Sequence, residues 1–205
     1  MPELKRFGFL LFAVGLGACS EAPALDACAS IDVTPVVQVW LDQRPHCLGT
    51  AVEDDWVLTA QHCVLGMRPE RLRVRDAEGL EMGVRHVVLR DPSATTLGAL
   101  HGRDLALLQL GDTAAAIADV GSPERARACL VGATQAGAAA VSIQAVRLDA
   151  VYADPHTRPG DSGGPLFDLH GALIGVASWR ADDGGPSVFT RLDLHESWLW
   201  TIVDG

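Results

Sequence analysis

A chain of 205 residues with 48% hydrophobic residues is long enough to bury a sizeable core in one domain or in two small packed units. Its 26 acidic residues against 16 Lys and Arg give a net charge of −10. That balance excludes a nucleic-acid binder working by phosphate neutralisation and excludes electrostatic adhesion to anionic lipid.

Residues 1–18 read as an export signal and not as part of the fold. Lys5 and Arg6 precede an apolar run from Phe7 to Leu16, too short to span a bilayer as a helix and suited to a signal-peptide core. It ends in Leu16-Gly17-Ala18-Cys19, which resembles a bacterial lipobox, the signal whose cysteine is lipidated and becomes the mature N-terminus. The alternative is ordinary secretion, periplasmic or extracellular, with Cys19 merely adjacent to the cut. Removing residues 1–18 takes away Glu3, Lys5 and Arg6, which leaves 187 residues and moves the net charge from −10 to −11. Membrane contact would then come from a lipid on Cys19 alone, anchoring the protein in the bacterial cell envelope.

Residues 19–34 mix Ser, Ala, Pro and acids without periodicity and read as a tether. From residue 35 the texture changes to short alternating or apolar runs: VVQVWL, HCLGTAV, WVLTA, RLRVRD, VRHVVL and DLALLQL. After an Ala-rich connection the pattern returns in ACLVGA, AVSIQAVRL, GGPLFD, ALIGVASW and PSVFTRL. Alternation by itself predicts an all-β barrel or sandwich. Over 193–203, Leu194, Trp198, Leu199 and Ile202 share one helical face, and Asp193 is the expected N-cap.

Three stretches carry chemistry. Pro159-Gly160-Asp161-Ser162-Gly163-Gly164-Pro165-Leu166 crowds glycines around one serine, which suits a tight loop with outward amides and a reachable hydroxyl; the plainer alternative is a Gly-Pro turn with an incidental serine. Trp56 to Cys63 delivers His62 at the end of a strand-like run. Arg103 to Leu110 places Asp104 at the start of an apolar strand, where a buried carboxylate needs a partner such as an imidazole N–H. Together WVLTAQHC, RDLALLQL and GDSGGPLF resemble the three active-site blocks of the chymotrypsin-like (trypsin-fold) serine peptidases, in that family's order His, Asp, Ser.

The resemblance implies two packed six-stranded antiparallel β-barrels, about 35–118 and about 128–192, with the C-terminal α-helix behind them. It implies a serine endopeptidase with His62, Asp104 and Ser162 as catalytic triad and the amides of Gly160 and Ser162 as oxyanion hole. No cofactor or metal is called for, and His46, His86, His101, His170 and His195 lack a repeated ligand spacing and read as surface or turn residues. The expected working unit is a monomer acting on protein or peptide. A non-catalytic binding module on the same scaffold is the alternative, because family members that lose a triad residue work in that way.

The resemblance also pairs Cys47 with Cys63. That leaves Cys28 to bond Cys129, or Cys129 free and buried. It puts His156 at the base of the primary substrate pocket, with Thr157, Arg180 and Ser187 on its walls. Ser178 falls near the buried aspartate, and Trp179 begins the strand along which substrate pairs. Without an acid at the base, cleavage after Lys or Arg is not expected. His156 and Arg180 favour an acidic substrate side chain, unless Arg180 pairs with Asp182 or Asp183 and leaves a small polar pocket.

Some features depart from the family. No Ile-Val-Gly-Gly start exists to supply an ammonium for Asp161, and no Lys or Arg lies between Cys19 and Arg44, so Asp161 is expected to find an internal donor or cation without tryptic activation. Gln61 stands where a small residue is usual. The interval between Asp104 and Ser162 is short, which calls for trimmed loops. A salt bridge from Arg158 to Asp182 or Asp183 is the candidate replacement for a missing family disulfide.

Overall fold

The computed structural model describes residues 27–114, 116–123, 126–134, 137–154, 157–180 and 184–205, Leu97 without its side chain. Cys19, His156, Asp182 and Asp183 lie outside the described residues. The first six strands are β1 (Val36–Leu41), β2 (Arg44–Glu53), β3 (Trp56–Thr59), β4 (Leu72–Arg75), β5 (Glu81–Leu89) and β6 (Ala106–Leu110). They close a barrel in the order β1-β2-β3-β6-β5-β4. The next six are β7 (Arg127–Val131), β8 (Ala138–Val146), β9 (Ala150–Asp154), β10 (Pro165–Phe167), β11 (Leu173–Arg180) and β12 (Ser187–Arg191). They close a second barrel in the order β10-β11-β12-β9-β8-β7. Helix α1 (Glu196–Val203) follows. Two six-stranded antiparallel barrels and a terminal helix are the architecture the active-site blocks imply.

Local chemistry accounts for the closure. In β1 the alternation turns Val37 and Val39 into the core while Gln38 and Trp40 face out, and β1 pairs with both β2 and β4 so that no edge is left open. The β1–β2 hairpin turns through Asp42 and Gln43, both at positive φ, as a two-residue turn matched to strand twist demands. Strand β3 is buried along its whole length between β2 and β6. Strand β9 is absent from the runs picked out in the sequence. Its core side chains, Ala150, Val151 and Ala153, are mostly small, and only the short turn 147–149 divides it from β8.

The helix begins at Glu196 with His195 as its cap residue, and the expected cap Asp193 is instead held by the Nε–H of Arg191 at 3.0 Å. Leu199 is buried and Trp198 and Ile202 pack on the core, whereas Leu194 precedes the helix and is half exposed. Both disulfides are formed: Cys47–Cys63, with Cα atoms 6.3 Å apart, and Cys28–Cys129, at 5.7 Å. Cys129 is therefore not a free thiol. Among the described residues no helix is long and apolar enough to cross a membrane.

Candidate active site

Strand register brings the first two residues together. Thr59 at the end of β3 pairs with Ala106 at the start of β6, so His62, three residues past one, meets Asp104, two residues before the other. The Asp104 carboxylate is wholly buried and accepts three hydrogen bonds: from the His62 backbone N–H at 2.9 Å, His62 Nδ1 at 2.7 Å and the Ser178 hydroxyl at 2.5 Å. A buried carboxylate with three donors is satisfied, where a bare one would cost several kcal/mol (about 3–5 when one partner is removed). Since an ionised carboxylate only accepts, His62 carries its proton on Nδ1, and a neutral ring then offers Nε2 as a lone pair.

The Ser162 loop is fastened to both barrels. Its carbonyl accepts from Leu48 N–H in β2 at 2.8 Å, and next to Leu48 stands Cys47, whose disulfide partner follows His62 directly. On the other side, Gly163 donates to the Ala177 carbonyl at 2.8 Å and Ala177 donates back to Gly164 at 2.9 Å, one residue from the Ser178 that binds Asp104. A Cβ on Gly163, at φ +78°, would lie 2.2 Å from the Leu48 carbonyl and 2.3 Å from Thr59 Oγ1, so only glycine fits. Gly160 adopts φ +97°, and neither its amide nor that of Ser162 has an acceptor among the described residues. Both amides are thus available to an incoming oxygen.

Asp161 does have internal donors. Its nearly buried carboxylate accepts from Ala133 N–H at 2.7 Å and Arg158 N–H at 2.6 Å. In front of Ser162 lies a cleft of about 200 Å³ whose walls include Thr157, Arg158, Ser178, Trp179 and Arg180. The Thr157 amide and hydroxyl both bond to the hydroxyl of buried Ser187, at 2.6 and 2.9 Å, and Arg180 Nη1 donates to the Thr157 carbonyl at 3.2 Å. Trp179 is the penultimate residue of β11 and does not begin it; it is partly exposed beside His101, ring centroids 6.0 Å apart. The roles expected of His156, and of Asp182 and Asp183 toward Arg180 and Arg158, fall outside the described residues.

Two supports escaped sequence reasoning. Gln61, the unusual residue before the histidine, is fully buried and clamps the backbone of Asp91, donating from Nε2 to its carbonyl at 2.6 Å and accepting its amide on Oε1 at 2.9 Å. His195 is a buried brace and not the surface residue its lack of ligand spacing suggested. It donates from Nε2 to the Gly102 carbonyl at 2.8 Å and accepts Arg90 Nε–H on Nδ1 at 3.2 Å. Burial pushes its imidazole below the usual histidine value, against the opposing pull of the Gly102 carbonyl. The sequence signal for Gln61 was its place where a small residue is usual, and the polar surroundings of His195 gave none. Cys47, His62 and Cys63 approach one another closely enough to suggest a metal cluster, but both sulfurs are spent in the disulfide.

A family model described as the trypsin-like peptidase domain matches residues 47–176, well over half of the chain. The chain belongs to that family. This trypsin-like peptidase chain is 28% identical over 217 aligned residues to human serine protease 56, covering 80% of itself and 36% of that protein. It is 29% identical over 159 residues to the putative serine protease HhoA of Synechocystis, covering 73% of itself and 40% of the relative. It therefore spans well under half the length of either. Among solved structures, a scabies mite inactivated protease paralogue superposes with a TM-score of 0.70 at 19% identity, over 84% of this chain and 93% of that one. Likeness at that level shows the fold alone, and the fold is shared with an inactivated protein.

Proposed function

We propose that the protein is an exported serine endopeptidase that cleaves peptide bonds through an acyl-enzyme. The observation that carries this reading is the buried Asp104 carboxylate holding His62 by Nδ1, with the Ser162 loop tied between the same two barrels. Ser162 Oγ attacks the substrate carbonyl as His62 Nε2 takes its proton, and the imidazolium so formed is stabilised by Asp104. The amides of Gly160 and Ser162 receive the developing oxyanion, each worth about 3 kcal/mol of transition-state stabilisation. His62 then returns the proton to the departing amine, and water repeats the sequence on the ester. All three residue types of the triad, His62, Asp104 and Ser162, are present in this chain. Labelling of the purified protein by a fluorophosphonate, abolished in Ser162→Ala, is the expected outcome; equal labelling of both proteins would sink the reading.

We further propose that the chain is a lipoprotein of the bacterial envelope, working as a monomer on protein substrates. The Lys5-Arg6 start, the apolar run and Cys19 support it, as do two disulfides that need an oxidising compartment. Fractionation tests it: the wild type is expected with membranes and Cys19→Ala in the soluble fraction, and a wild type that is soluble throughout rules the anchor out.

A further inference from the structure

The described residues lining the cleft in front of Ser162 carry charge opposite in sign to that of the chain. The protein carries a net charge of −10, yet the charged groups among the described residues lining this cleft are Arg158 and Arg180, both exposed, beside the hydroxyls of Thr157 and Ser178. Asp182 and Asp183, which follow Arg180, lie outside the described residues, and the two described carboxylates that bond to residues of this lining are withdrawn from the cleft. Asp104 is buried under His62 and Ser178, and Asp161 is turned back onto the Ala133 and Arg158 amides. Arg180 also has a defined place. From the end of β11 its guanidinium reaches the Thr157 carbonyl in the loop leading to the nucleophile, so the side chain spans the cleft from one wall to the other.

We infer that Arg180 selects substrates with Asp or Glu immediately before the scissile bond, by exchanging its bond to the Thr157 carbonyl for a pair with the substrate carboxylate. This rests on the peptidase reading of the same site. The exchange replaces a neutral acceptor by a charged one, which strengthens the hydrogen bond, and a guanidinium presents two parallel N–H groups to a carboxylate. An uncharged side chain gains nothing by displacing the carbonyl and meets a cleft already crossed by the arginine. A Lys or Arg side chain meets two like charges. Thr157 is held from behind by Ser187, so its carbonyl is a fixed resting partner and Arg180 is the part that moves.

Matched fluorogenic peptides that differ only at this residue, as Glu, Gln, Asp, Asn or Lys, test the inference on the full chain, with fluorophosphonate labelling run in parallel. The expected result is a kcat/KM for Glu at least about tenfold above Gln, and no turnover of Lys. The Glu to Gln ratio should collapse toward one in Arg180→Ala, whose folding is followed by thermal denaturation. A measurement needing no variant is the same ratio in wild type from about 0.05 M to about 0.5 M salt, where screening should reduce it. A labelled wild type with a Glu to Gln ratio near one, or a ratio unmoved in folded Arg180→Ala, overturns the selectivity and leaves the peptidase reading standing. A wild type that neither labels nor cleaves any peptide overturns both.

Discussion

Gln61 sits one position before the candidate base, where the family resemblance leads one to expect a small side chain. Both ends of its carboxamide are used on one backbone unit, the amide and carbonyl of Asp91. Asp91 in turn accepts from the Ser93 hydroxyl at 2.6 Å and faces Arg103 at 3.4 Å, so its carboxyl lies below the usual carboxylate range, chiefly through the Ser93 bond. The segment from Asp91 to Arg103 is the one that delivers Asp104, and Gln61 fastens its beginning to the turn bearing His62. Gln61→Ala removes both bonds and leaves a void, at a cost of about 1–3 kcal/mol for each buried group left unpaired. Asp91 is half-buried, so water can take up part of that role and the low end of the range applies. Urea denaturation should show a lower midpoint with an unchanged slope. An unchanged midpoint would mean the clamp contributes nothing to stability.

At the level of elements, helix α1 is joined to the same Asp91–Arg103 segment through His195, which stands at the N-cap position and bonds through its ring to Gly102 and Arg90. The brace works only with a neutral ring, because Nδ1 must accept from arginine while Nε2 donates. Folding depresses the His195 pKa relative to the unfolded chain, so the unfolded state binds more protons wherever the two differ. Stability from this group is therefore fully present above about pH 6.5 and is lost as pH falls through the lower folded value. Chemical denaturation at pH 8 and pH 5 should show wild type losing more stability on acidification than His195→Asn, which has no such proton to gain. Equal losses in the two proteins would remove His195 from the pH response.

For the whole molecule, the strands were legible from side-chain alternation, and the two-barrel arrangement from the resemblance that three short contiguous runs bear to the chymotrypsin-like serine peptidases. Strand β9 was not, since alanine alternates weakly, and the His195 and Gln61 braces were not, since each joins residues far apart in the chain. Asp161 lies between these cases. The missing Ile-Val-Gly-Gly start led to the expectation of an internal donor or cation, and among the described residues the donors are two backbone amides far apart in the chain. The Ala133 donor follows β7, where Cys129 is bonded to Cys28, so the segment before the first barrel and the loop behind Asp161 are tied to one strand. The two amides give the Asp161 carboxylate hydrogen bonds that hold the Ser162 loop against the segment after β7. Protein labelled by a fluorophosphonate should therefore carry the same N-terminus as unlabelled protein, at or before Cys28, by terminal sequencing and intact mass. A terminus downstream of Cys28 confined to the labelled fraction would show that cleavage makes the site, and that the amide pair belongs to a precursor.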